Sequence, residues 1–416
     1  MGIKERLLYY SMCCYILIIS IVPSSSKIFK FSAADIGYAL VVGMYLYILA
    51  SCKESRKRFT LGVKDFFTDK LGISMIILGL IMVCSVTYSL ERGLAVTETI
   101  RFISYIVLFF IIKYEFYNRS IYNMILNCYI YAAGVLSILG TYQYFFHSDT
   151  GKFIANYKFG AKERITATMD NPNQYVAFLI MIIFPLIMMI LYKDKKNKKQ
   201  RIIYIFIALI IMLNIALTFS RNGYVAFFIG CTVLVIIYNW KFISFLIFAA
   251  ISVLIIPQTS GRILELADKS QNFTRIRLWE TAIRMFKEHP ILGVGNGNFV
   301  SYYDAYIKKY PELYIYYEYK RYPTHNSYLK VLSELGILGI VPFILILSFS
   351  IINYIKFIVK RSNDLYKYMC MGFLASTVAF LFMNLSENLF FVPNVTACFW
   401  IFLAIEGSIT YWEKVR

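Results

Sequence analysis

The chain is 416 residues long, 59% hydrophobic, 18% aromatic and only 16% charged, with a mean hydropathy of +0.60. A soluble protein of this size would need a more polar surface than that, and the apolar residues fall in runs of about 17–21, enough to cross about 30 Å of hydrocarbon. The formal net charge of +19 would suggest nucleic acid in a soluble chain, but here the basic residues gather in alternate loops, as orientation in a bilayer requires, so no nucleic-acid partner is expected.

In chain order, MGIKERLLYY leads into an apolar run with no small-residue cleavage site behind it, so it reads as an uncleaved first span. Candidate spans then lie at 8–24, 36–52, 72–90, 96–113, 122–143, 174–192, 202–219, 223–240, 242–257, 337–355, 367–385 and 394–412. The fold class is an all-α membrane protein of about 12 transmembrane helices. Lys4 and Arg6 place the N-terminus inside. The segments CKESRKRFTLGVKDFFTDK, KYEFYNR, KDKKNKKQR, IKFIVKRSND and EKVR then fall on the same cytoplasmic side, and so do both termini.

That count assigns 144–173, the tight turn SRNG (220–223), the long stretch 258–336 and SENLFFVPN (386–394) to the outer face. The expected organisation is a first block of spans over 1–257, an extracytoplasmic segment over 258–336 and three closing spans over 337–416. The eight cysteines all lie in or beside apolar runs, which argues against a disulfide framework. No repeat at a fixed period appears.

Within the outer stretch, TRIRLWETAIRMFKEHP has the period of an amphipathic helix, with Ile276, Trp279, Ile283 and Phe286 on one face and Arg277, Glu280, Arg284 and Lys287 on another. Pro290 stops it. GVGNGNF supplies a flexible turn, YPELYIYYEYKRYP is dense in tyrosine, and THNSYLKVLSELG begins a helix that leads into the tenth span.

The polar residues of the outer face are a small set: Arg164, Arg221, Arg275, Arg277 and His325. An arginine at a lipid–water boundary has two readings, snorkelling to headgroups or, where several converge, bidentate recognition of an anionic headgroup. Arg221 sits in a turn of a few residues on the side where positive charge is disfavoured, which favours recognition. His325 is either a capping histidine bonded to backbone or a group that takes or gives a proton near neutral pH. Arg101 can pair with Glu98, and Lys330 with Glu334 one helical turn on. The tyrosines at 310–322 suit interface anchoring, with sugar stacking as the second reading.

Several chemistries have no motif. There is no HExxH, no paired Cys/His spacing, no DxD and no GxSxG, so neither a metal nor a cofactor is expected. GVGNGNF lacks the strand–turn–helix context of a phosphate-cradling loop.

Four local patterns, RITATMDNPNQYVA (164–177), SRNGYVAF (220–227), RIRLWETAIRMFKEHPILGVGNGNF (275–299) and HNSYLKVLSELGILG (325–339), occur in an order and placement that resemble the bacterial O-antigen ligase and O-antigen polymerase superfamily of membrane glycosyltransferases. The likeness covers about 164–345. It implies a metal-independent transfer of a glycan from undecaprenyl pyrophosphate, as a block, to a hydroxyl of a glycan or glycolipid acceptor. The site would lie at the outer face of the bacterial cytoplasmic membrane. Carried onto this chain, His325, Arg221 and Arg275 would be catalytic, with Arg164, Arg277, Asn326 and Trp279 binding substrate. Arg277 doubles the arginine ahead of Trp279, so the resemblance leaves open which of Arg275 and Arg277 meets pyrophosphate.

The chemistry suits such a set, because a glycosyl pyrophosphate already carries a good leaving group and needs charge stabilisation plus one base. Polymerase and ligase differ only in acceptor. The richness in Ile, Lys, Tyr and Asn suggests an AT-rich genome and a bacterium without lipopolysaccharide, which favours polymerisation of O-antigen or capsular repeats over transfer to lipid A-core. A polysaccharide flippase is the alternative of another class. Transporters place charged or broken-helix sites near the bilayer midplane, whereas these spans are nearly free of charge at mid-depth.

Overall fold

The apolar runs fold as helices, the one structure besides a closed barrel that satisfies every backbone group inside lipid. The computed structural model describes residues 3–23, 27–28, 31–146, 153–155, 162–192, 198–240, 243, 247, 269–315 and 322–415. The first helices are α1 (Ile3–Ile21), α2 (Ala33–Ser51), α3 (Lys53–Phe66), α4 (Lys70–Ser85), α5 (Arg92–Glu115) and α6 (Arg119–Phe146). Next come α7 (Pro172–Leu191), α8 (Lys198–Leu217), α9 (Arg221–Ile237), α10 (Lys269–Glu288) and α11 (Phe299–Lys309). The last are α12 (Ser327–Lys360), α13 (Leu365–Met383) and α14 (Pro393–Val415). Two short antiparallel pairs accompany them, β1 (Lys27–Ile28) with β2 (Phe31–Ser32) and β3 (Phe153–Ala155) with β4 (Lys162–Arg164).

Among the described residues, 8 helices are long and apolar enough to cross a membrane, or 9 if α3 and α4, bent by 82° from each other, form one span. Every span expected from the sequence except the ninth coincides with one of the helices. The ninth, at 242–257, falls outside the described residues apart from Ile243 and Ile247. The basic stretch after the second span is itself helical, as α3. The two chain ends share a face: Glu5 accepts from Tyr117, whose ring lies 5.7 Å from that of Trp412.

The centre is built from α7 and α14, of whose spanning windows 72% and 83% are buried. α13 packs on α7 and α9, α14 on α5 and α7, and α12 on α4. Lipid tails are as apolar as leucine, so close packing, rather than exclusion of water, holds such helices together. Small residues allow it. A Cβ on Gly230 of α9 would stand 2.1 Å from the Phe184 ring of α7, and one on Gly372 of α13 would stand 2.4 Å from Pro185 Cα.

α12 is two helices joined at a break. Gly336 adopts φ 61°, ψ −159°, a conformation that side chains resist, and a Cβ there would lie 2.2 Å from the Ile291 carbonyl oxygen. Residues 290–295 fill the gap. Ile337 N–H donates to Pro290 O (2.9 Å), Val294 N–H to Ser333 O (3.0 Å) and Gly295 N–H to Glu334 O (2.8 Å). The groups freed by the break therefore find partners.

α10 is amphipathic as expected, but its buried stripe differs. Leu278, Thr281, Ala282 and Met285 are buried, while Ile276 and Ile283 are 38% and 39% exposed. α11 sets the choice: its Phe299, Tyr303 and Tyr306 meet Leu278, Ala282 and Met285 in a second, smaller core.

Candidate functional site

Three helices begin side by side with polar caps. Asn171 caps α7, accepting from Asn173 N–H (2.9 Å) and Gln174 N–H (3.0 Å), with Pro172 at the first helical position. Ser220 caps α9 by accepting from Gly223 N–H at 3.2 Å. Asn326 caps α12, accepting from Tyr328 and Leu329 N–H at 3.0 Å each. The positive ends of three helix dipoles are thereby turned toward one region, which favours an anion there.

The backbone leading into each cap is strained. Among the described residues, the non-glycine positions with positive φ are Ala167 (50°), Phe219 (46°) and His325 (49°), one ahead of each of these helices. Such conformations cost about 1–2 kcal/mol apiece and persist where surrounding contacts impose them.

Gln143 holds Ala167, donating to its carbonyl (2.8 Å) and accepting from its N–H (2.9 Å), while the side chains around Phe219 and His325 join a network centred on Glu387, in the loop between α13 and α14. Its Oε1 accepts from Arg275 Nη2 at 2.5 Å and from Asn173 Nδ2 at 2.6 Å, and its Oε2 lies 3.2 Å from His325 Nδ1. Asn173 Oδ1 in turn accepts from Ser220 Oγ (2.9 Å) and Arg164 Nη2 (3.1 Å), and Arg164 Nε donates to the Thr218 carbonyl at 2.6 Å. Burial pushes the Glu387 carboxyl up, but the hydrogen bond to His325, the charges of Arg275 and His325 and the bond from Asn173 outweigh it and hold the group below its ordinary value. An ionised carboxylate only accepts, so in the neutral ring it is His325 Nδ1 that carries the proton.

His325 is fixed from a second side. Its carbonyl accepts from Trp279 Nε1 at 3.3 Å, and the flanking Thr324 and Ser327 hydroxyls bond Asn388 Oδ1 (3.0 Å) and Asn384 Oδ1 (2.6 Å) in the same interhelical loop. The imidazole remains 31% exposed, and its Nε2 has no hydrogen-bond partner among the described residues. A ring so held presents an open nitrogen to a substrate.

The structure thus brings His325, Arg275 and Arg164 into one network, with Trp279 and Asn326 positioning the His325 backbone. Asn326 adds a bond from Nδ2 to the Leu385 carbonyl at 2.8 Å. Arg221 is the first residue of α9, directly after Ser220 of the network, and is half-buried. Arg277 stands apart: it pairs with Glu280 at 2.9 Å and lies 5.1 Å from the Phe273 ring.

Other singled-out residues are structural. Arg101 pairs with Glu98 at 3.1 Å, and Lys330 with Glu334 at 2.7 Å. Glu334 also accepts from Gly297 N–H (2.8 Å) and Phe299 N–H (3.1 Å), so the end of GVGNGNF caps a carboxylate of the protein's own. Among the described residues, no group of three or more His, Cys, Asp and Glu is placed to hold a metal ion.

Sequence reasoning missed Glu387 and Asn173. The available signal was that Glu387 is the one carboxylate in SENLFFVPN, an outer loop between two apolar spans, and that Asn173 lies within DNPNQY. Residues 205–344 match a family model described as O-antigen ligase. That segment holds Arg221, Arg275 and His325, and leaves Arg164, Asn173 and Glu387 outside it. No curated protein matches the chain.

Proposed function

We propose, from the premise that this chain belongs through residues 205–344 to the O-antigen ligase and polymerase superfamily of membrane glycosyltransferases, that it transfers an undecaprenyl-pyrophosphate-linked glycan as a block to an acceptor hydroxyl at the outer face of the bacterial cytoplasmic membrane. The observation that carries this reading is the network in which one carboxylate, Glu387, joins His325 to Arg275 beside the capped starts of α7, α9 and α12. Residues 258–336 act as the extracytoplasmic catalytic segment.

In this reading the acceptor oxygen attacks the anomeric carbon while the bond from that carbon to the pyrophosphate oxygen breaks. His325 Nε2 takes the hydroxyl proton as the new glycosidic bond forms. The leaving group departs as undecaprenyl pyrophosphate, its charge met by Arg275 and Arg221 and by the helix starts, with Arg164 supporting from behind through Asn173. Arg275 rather than Arg277 is the pyrophosphate contact, because only Arg275 points into the network. Trp279 and Asn326 keep the imidazole in register.

Polymerisation of O-antigen or capsular repeat units is the preferred form of the reaction. Transfer to lipid A-core or another surface acceptor is the second, favoured by the description of the matching family model. The deciding experiment incubates purified protein with a synthetic undecaprenyl-pyrophosphate oligosaccharide in EDTA. Products of increasing length mean a metal-independent polymerase. Donor consumed only after a lipid A-core or other acceptor is added means a ligase, and inertness with every acceptor overturns the glycosyltransferase reading.

A further inference from the structure

At the opposite end of α12 from His325, a cavity of about 1220 Å³ opens between the ends of α4, α5, α12 and α14, on the face that holds the chain's termini. Its walls combine apolar side chains, Leu71, Phe109, Phe349 and Phe357, with charged ones. Its lining carries six cations against five carboxylates, a small positive excess, and two of the cations hold four of the acids. Lys113 meets Asp65 (3.0 Å) and Asp69 (2.9 Å), Arg361 meets Asp364 and Glu413 at 2.7 Å each, and Glu406 accepts from Thr410 Oγ1 at 2.8 Å.

Four further lysines supply the positive excess. Lys70 opens α4, Lys356 and Lys360 stand one turn apart near the end of α12, and Lys414 lies in the last turn of α14. Each is exposed, and none of their ammonium groups has a hydrogen-bond or ion-pair partner among the described residues. Basic residues that serve only to orient a membrane protein scatter around its perimeter. Here three helices deliver them to one cavity whose walls are partly aromatic, which fits a ligand with an anionic head and an apolar body.

We propose that this cavity binds an anionic phospholipid of the adjoining leaflet, its headgroup phosphate among Lys70, Lys356, Lys360 and Lys414 and its chains along the phenylalanine wall. The site is separate from the proposed transfer chemistry, and its test does not use activity. The full-length protein, purified in a neutral maltoside detergent, is titrated with dioleoyl phosphatidylglycerol, with dioleoyl phosphatidylcholine and with inorganic phosphate, following the melting temperature and native mass spectra.

Phosphatidylglycerol is expected to give a saturable rise in melting temperature and retained lipid adducts, which phosphatidylcholine and phosphate do not. The double change Lys356→Gln with Lys360→Gln is expected to weaken that response at least tenfold, whereas Lys198→Gln with Lys199→Gln, at the start of α8, leaves it intact. Should the first pair lower the melting temperature before lipid is added, Lys70→Gln carries the same expectation. Equal responses to the two lipids, or an undiminished response in the cavity variants, overturn the proposal. A full response to phosphate alone overturns its lipid part and assigns the cavity to a soluble anion.

Discussion

His325 Nδ1 lies 3.2 Å from Oε2 of Glu387, a residue 62 positions further along the chain and on a different interhelical loop, and the other oxygen of the same carboxylate holds Arg275 at 2.5 Å. One anion therefore fixes the ring that would take a proton and the cation that would take a phosphate. Glu387→Gln keeps the shape but removes the charge, and is expected to lower transfer about 10²–10³-fold, in the range of a lost orienting or acid–base group. His325→Ala and Arg221→Ala are expected to abolish transfer with insertion intact. Turnover of the synthetic donor in membranes, normalised to protein level, measures all three. Normal activity in both His325→Ala and Arg221→Ala would falsify the site assignment.

The two arginines ahead of Trp279 should separate cleanly. Arg275→Ala is expected to reduce turnover at least about 100-fold, since it removes the proposed phosphate contact and unbalances Glu387. Arg277→Ala, which loses a partly exposed pair with Glu280 and a contact with the Phe273 ring, should stay within about twofold. Comparable losses in the two variants would return the choice to the doubt in which the sequence leaves it.

Gly336 and Gly43 make a matched pair for stability. Alanine at Gly336 must adopt a positive φ and meets the Ile291 carbonyl at 2.2 Å, so a loss of at least about 2 kcal/mol is expected. Gly43 lies inside α2 with nothing within 4 Å of its added Cβ, and alanine there should be neutral or stabilising by up to about 1 kcal/mol. Melting of both variants in detergent gives the comparison.

Glu334 and Lys330 are a buried pair, with side-chain exposures of 2% and 11%. Glu334→Gln strands the ammonium and weakens the bonds to Gly297 and Phe299, at an expected cost of about 3–5 kcal/mol. Adding Lys330→Met should recover part of the lost melting temperature. If the double variant melts no higher than the single one, the ion pair is not the source of the effect.

Acid stability of the α10–α11 unit should show one identifiable carboxylate. Burial pushes Glu288 up, but hydrogen bonds from Tyr310, Lys309 and Tyr306 and the Lys309 charge hold it at about 2 rather than the ordinary 4.5. A depressed carboxyl stabilises the fold above its ordinary value, and that contribution fades as pH falls from 4.5 through 2. The difference in melting temperature between wild type and Glu288→Gln should be constant above about pH 5 and shrink below it. A difference that widens on acidification would contradict the assignment.

Much of the fold was legible because apolar runs in lipid have few alternatives: the spans announce themselves by length, and the amphipathic period of α10 is plain in its sequence. The buried stripe of α10 was not legible, because the choice between Ile276 and Leu278 is made by α11, a neighbour that periodicity cannot see. His325, Arg164 and Arg275 stood out as rare polar residues on a polar-poor face. Glu387 did not, since its importance lies wholly in three partners contributed by α7, α10 and the start of α12, at separations that no local pattern encodes. The break at Gly336 was hidden as well, because a glycine in LSELGILG is also compatible with an unbroken helix.

The backbone of 290–295 that fills this break has a practical bearing on how specificity could be exchanged between related enzymes. A chimera cut between α10 and the break at Gly336 would force a donor's 290–295 into a host's break, with four main-chain hydrogen bonds to match and no side-chain freedom to absorb an error. The transplantable unit must instead run through Leu338, whose N–H still reaches the Ile291 carbonyl at 3.3 Å, so that loop and break travel together. Evolution of residues 290–295 and of the turn of α12 that follows Gly336 are, on that account, a single problem of fit.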